Sequence, residues 1–153
     1  MAIEHVLSNL IKDYYDSTSV EPDPARARGR PIVAAGSVAN GASDSSGSTY
    51  HLADLPSDCI LDSATGFQVE NWGFAAIRLG TRSDVDALAS VLKSAGTVVS
   101  PIVKYAAASH GKPLWEVLGL ADDPGGTIGI YAHAIADATG AGSMAFEIHY
   151  RYR

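Results

Sequence analysis

The chain has 153 residues, a formal net charge of −6 and a pI near 5.2, which argues against a nucleic-acid binder, since that would need a basic footprint. Hydrophobic residues make up 46% and mean hydropathy is +0.06, enough for one folded domain with a proper core. Charged residues make up 18%, below the ~25% usual for soluble domains, so less surface is devoted to solvating charge; cover by other protein is one explanation of several that composition allows.

Residues 1–15 carry Ile3, Val6, Leu7, Leu10, Ile11 and Tyr14 at the spacing of one face of an amphipathic helix. Such a stripe either packs on its own domain or docks on a neighbour as an arm. Glu4, His5 and Lys12 interrupt it, so it does not read as a signal peptide. Asp16 to Arg30 has linker chemistry, with Pro22, Pro24, Ser17, Ser19 and Gly29 among mixed charges. The chain is therefore divided into an arm and linker, 1–30, and a body, 31–153. No apolar run approaches the ~20 residues that span a bilayer, and the expectation is a soluble, intracellular product without a membrane partner.

Pro31 to Ala39 predicts the first core strand, and Asn40 to Ser48 a polar loop leading to a strand at Thr49 to Ala53. Leu55-Pro56-Ser57-Asp58 is expected to turn, because proline fixes its own φ and biases Leu55 away from helix. Cys59 to Ala64 resumes a strand; Phe67 to Leu79 gives one or two more, with Gly73 at a bend. Ser83 to Lys93 reads as a helix: Ser83 caps it, Asp84 and Asp86 suit its start, and Lys93 suits its end. Thr97 to Tyr105 suggests a strand, and Pro113 to Leu120 a short helical turn or strand around Trp115. Asp122-Asp123-Pro124-Gly125-Gly126 is a strong turn.

The last segment is the most regular. Met144, Phe146, Ile148, Tyr150 and Tyr152 alternate with Ala145, Glu147, His149, Arg151 and Arg153, the period of two of a strand with one apolar face. Gly126 to Ala136 is expected to pair with it as a closing hairpin across Thr139-Gly140-Ala141-Gly142. Phe146, Ile148, Tyr150 and Tyr152 then face the core or a subunit contact. Six to eight short strands against one or two short helices, without βαβ alternation, give a mainly β fold. The expectation is a jelly-roll-like antiparallel sandwich with an N-terminal helical or extended arm.

Chemistry is sparse. The sequence lacks a nucleophile elbow, a phosphate loop, a dinucleotide fingerprint and a His-Glu-x-x-His motif. Asp84 and Asp86 read as helix-start carboxylates rather than an acid/base or metal pair. His133 and His149 would meet only with a suitable hairpin register, and ligand spacing does not support a metal site with Glu147. Cys59, the only cysteine, excludes an intrachain disulfide and suits a reducing cytoplasm; it reads as a buried thiol. The Tyr and Trp residues could form a sugar platform but are better read as packing. No catalytic residue, cofactor or metal is predicted, and the protein is not expected to be an enzyme.

The order of segments resembles the capsid cement, or decoration, proteins of tailed bacteriophages. The resemblance is carried by Gly29-Arg30-Pro31-Ile32-Val33-Ala34, by Tyr50 to Leu61 with its Leu55-Pro56, and by Ala136 to Ser143 followed by the strand Met144 to Tyr152. It covers most of residues 29–153 in soft patterns, and the N-terminal stripe departs from a plain extended arm. It implies a structural protein on the capsid exterior, assembled in the host cytoplasm. Its partners would be the major capsid protein and itself, as a homotrimer or a dimer, tying neighbours together by many modest contacts. A neck or tail adaptor, or a carbohydrate-binding jelly-roll adhesion module, is the alternative.

Overall fold

Residues 31–153 are described by the computed structural model, and they form two antiparallel β-sheets packed on one another. The stripe Ile3, Val6, Leu7, Leu10, Ile11 and Tyr14, with the rest of the expected arm and linker, lies outside the described residues. The strands are β1 (Ile32–Asn40), β2 (Thr49–Pro56), β3 (Ile60–Leu61), β4 (Gly66–Gln68), β5 (Ala76–Gly80), β6 (Ala89–Leu92), β7 (Val98–Val99), β8 (Thr127–His133) and β9 (Gly142–Arg151). One four-residue helix, α1 (Leu114–Val117), sits between β7 and β8. Sheet A runs β1-β9-β4-β7, with β3 also on β9; sheet B runs β2-β8-β5-β6.

The order has a simple origin. β1 pairs with β9, β2 with β8, β4 with β7 and β5 with β6, so the body is one long hairpin with its tip between β5 and β6. Rolling that hairpin adds the pairs β4–β9 and β5–β8 and closes two sheets over one core. This is a jelly-roll arrangement.

Alternation decides what faces inward. In β9, Met144, Phe146, Ile148 and Tyr150 are buried, while Ala145, Glu147 and Arg151 are exposed; Tyr152 is half-buried. In β8, Ile128, Ile130 and Ala132 are buried on the facing sheet. One inward row runs across sheet A as Gly36, Phe146, Phe67 and Val99, each directly paired with the next. The Phe67 and Phe146 rings stack at 6.0 Å, and the Phe146 ring fills the space where a side chain on Gly36 would go. A Cβ there would lie 2.8 Å from Phe146 Cζ. Glycine opposite a large ring is thus a packing pair, not a weak spot in the strand.

β3 and β4 lie along the same edge of β9, interrupted by residues 62–65. Buried Thr65 bridges the gap: its hydroxyl accepts from His149 N (3.1 Å) and donates to His149 O (3.1 Å), which also accepts from Asp62 N (2.8 Å). A side chain here replaces a rung of the ladder, so backbone polar groups stay paired where the strand breaks.

Three expectations are corrected. The closing hairpin does not form, because β8 lies in sheet B and β9 in sheet A. Each has a fully apolar face, and the chain buries both by setting them opposite one another across the core. The connection, residues 134–141, is held by Ala134 N to Ser48 O (2.9 Å), Ala138 N to Asp44 O (2.9 Å) and Asn40 Nδ2 to Gly140 O (2.9 Å).

The second correction concerns the helix at Ser83 to Lys93. Residues 81–88 are the hairpin tip, β6 follows, and Lys93–Ala95 is a single 3-10 turn. Thr81, not Ser83, organises the polar residues, accepting at Oγ1 from Asp84 N (3.1 Å) and donating its own N–H to Asp84 O (2.8 Å). The open edge of β5 takes β6 as a partner, an option that a capping signal does not reveal. Third, the strands expected at Cys59 to Ala64 and Thr97 to Tyr105 shrink to two residues each, and β2 continues through Leu55 to Pro56.

Candidate functional site

Most polar groups with chemical potential are occupied by the fold. His51 Nε2 lies 2.9 Å from Asp54 Oδ1, and its ring stacks on Tyr131 at 4.5 Å. His133 is buried and bonds Thr81 O at 2.8 Å. His149 meets Glu147 at 3.1 Å. His110 stands edge-on to Tyr105 at 5.4 Å. Because β8 and β9 are in different sheets, His133 and His149 turn away from the core on opposite sides and do not meet. Among the described residues, no group of three His, Cys, Asp or Glu side chains is placed to hold a metal ion.

Several aspartates are engaged by hydrogen bonds within or beside the loops. Asp86 pairs with Arg78 at 3.3 Å, and Asp84 bonds through its backbone to Thr81. Asp123 accepts from Gly125 N at 2.9 Å, and a hydrogen bond from Ser57 holds its carboxyl below the usual value. Asp44 accepts from the Tyr50 hydroxyl, and that bond holds its carboxyl low as well. Burial, then the bond to Asp44, pushes the Tyr50 hydroxyl up to about 12. Burial, with Asp58 nearby, pushes the Cys59 thiol up to about 12. A thiol so raised stays protonated at neutral pH and is a poor nucleophile.

The aromatic platform considered from sequence is divided. Trp72 is 2% exposed and packs on Tyr50 at 5.0 Å and Phe74 at 5.4 Å, so it belongs to the core. Trp115 is half-buried on α1, whose first amides donate to Cys59 O (Leu114 N, 2.7 Å) and Ser57 O (Trp115 N, 3.0 Å). Phe146, Ile148 and Tyr150 lie in the core and Tyr152 packs against it.

The exposed surface offers something different. Tyr105 is 72% exposed, Val103 65%, Leu92 62% and Val98 60%. Tyr105 also has a φ of 64°, a left-handed conformation uncommon for a large side chain, and Lys104 lies over its ring at 5.1 Å. Val103 and Tyr105 line a groove of about 210 Å³ with Ile102, Tyr150 and Pro31, where residues 1–30 join the body. On sheet A, Ala35, Gly66, Gln68, Val98 and Glu147 line a shallow depression with small side chains. These surfaces could not be read from sequence: Val98 and Val103 look like core residues until the strand expected at Thr97 to Tyr105 proves to be Val98–Val99 alone, with Val103 in the loop beyond it.

Compared with protein-family models, curated proteins and solved structures, the chain shows no match in any of the three.

Proposed function

We propose that this is a non-enzymatic structural protein that acts by binding other protein surfaces. Within that class we favour a capsid cement protein, bound outside an assembled phage shell between major capsid proteins. The observation that carries the binding role is the contrast on the body's surface. His51, His133, His149 and Asp86 are tied into the fold, whereas Tyr105, Val103, Leu92 and Val98 stand in solvent. Val103 and Tyr105 sit together in one groove, and adjoining exposed apolar side chains, rather than scattered ones, are what a contact surface offers. The capsid assignment rests on the segment resemblance described above, with Ile3, Val6, Leu7, Leu10, Ile11 and Tyr14 as the docking stripe and self-association strengthening attachment by multivalency. The sugar-binding alternative draws no support from Trp72, which is buried.

Co-sedimentation of the full chain with empty capsids assembled from the co-expressed major capsid protein tests this reading. Saturable binding is expected, and Leu7→Glu with Leu10→Glu should lower occupancy without moving the melting temperature of the body. Absence of binding at any concentration would sink the capsid role. Unchanged occupancy of the double variant would sink the docking stripe alone. Saturable binding to a glycan array without capsid binding would favour the adhesion module.

A further inference from the structure

The open edges of the two sheets are not equivalent. β6 has four residues, β7 two and β3 two, too few to template a further strand. β2 is longer, but its register shifts between His51 and Ala53, it carries the His51–Asp54 pair, and it ends in Pro56. Bulges, charges and proline are the usual means of blunting an edge. β1 has none of them. It is nine residues, Ile-Val-Ala-Ala-Gly-Ser-Val-Ala-Asn, paired without a register break to β9 from Ile32↔Tyr150 to Asn40↔Gly142. On its other side it has no partner strand among the described residues. Val33, Ala35 and Ser37 are exposed on its outward face.

The geometry points to this edge as an interface between two copies of the chain, β1 against β1, antiparallel about a two-fold axis, joining two A sheets into one. Charge selects the occupant. A chain of net charge −6 repels its own copy wherever acidic surfaces meet, and β1 brings no charged side chain to the contact. A basic partner attracted by that charge would find nothing on β1 to neutralise. Self-pairing also satisfies both open rows of N–H and C=O groups with one symmetric operation and places no like charges opposite one another. The small outward side chains leave the two backbones free to approach. This inference specifies dimer over trimer and does not rest on the capsid reading, since a dimer that ignores capsids would leave it intact.

The test uses the full chain. Light scattering across a wide concentration range should give a species of twice the 15.9 kDa chain mass. In hydrogen exchange, amides within 32–40 should slow as concentration rises. Ser37→Lys should weaken association by about fivefold or more, while Thr49→Lys on the β2 edge should leave it unchanged. A chain that stays monomeric throughout, or forms a trimer, overturns the proposal. So does a dimer whose concentration-dependent protection falls outside 32–40, for instance within residues 1–30. If Ser37→Lys melts too low to be compared, the exchange pattern of the unaltered chain decides.

Discussion

At Gly36 and Phe146 a small and a large residue share one volume. The ring lies over the glycine, stacks on Phe67 at its other side and is buried between the sheets. Phe146→Ala should cost about 3–5 kcal/mol, measured by urea unfolding, because it empties the middle of the row. Gly36→Ala should cost about 1–3 kcal/mol by overpacking. Combined with Phe146→Leu, that cost should shrink, since the two sites are in contact and their effects cannot add. Cys59 is a second residue with a measurable signature. Its thiol is raised from 9.0 to about 12, so the protonated form is favoured in the folded state. The resulting stability is complete below pH 9 and is lost as pH rises toward 12. The urea midpoint should therefore fall from pH 9 upward, and more shallowly in Cys59→Ala. Tyr50, raised from 10.0 to about 12, adds to the alkaline loss above pH 10.

Among the elements, the interrupted strand β3–β4 depends on one hydroxyl. Thr65→Val keeps the shape but leaves His149 N without its acceptor, which should cost about 1–3 kcal/mol. The His149 amide should exchange faster than its β9 neighbours, which keep their partners; equal rates would mean the hydroxyl is not the rung. Elements also show how far sequence reasoning reached. β9 was legible because period-two alternation over ten residues reports a face directly, whereas β1 and β2 stood out as the stretches on either side of the polar loop Asn40 to Ser48. Periodicity reports a face and not a partner, however, so β8 and β9 looked like a hairpin although each supports a different sheet. The stretch from Ser83 to Lys93 misled for a related reason. Ser, Asp and Lys placed as helix caps are equally good hairpin-tip residues, and only the free edge of β5 decides between the two. The exposed Tyr105 and Val103 had no sequence signal, because exposure here is set by the loop between β7 and α1.

For the molecule as a whole, the sandwich was legible from the number of short strands and the absence of βαβ alternation. The rolled hairpin was not, since its longest ladder joins positions at opposite ends of the body. That ladder gives the fold a large share of non-local pairings, β1 with β9 and β2 with β8. Refolding from urea should accordingly take milliseconds to seconds, and stopped-flow fluorescence of buried Trp72 should follow it. Completion within microseconds would show that local contacts dominate. Both sheets share a single hydrophobic cluster, so fluorescence and far-UV circular dichroism should report coincident unfolding transitions.

The pairing of Ile32 with Tyr150 also sets an order of events during synthesis. β1 is among the first parts of the body to leave the ribosome, and its partner is among the last. At ordinary elongation rates the wait is on the order of ten seconds. Throughout it, β1 has both edges open and Phe67 lacks the ring it stacks on. Nascent chains on one message therefore present the same uncharged strand to one another before β9 arrives to pair with it.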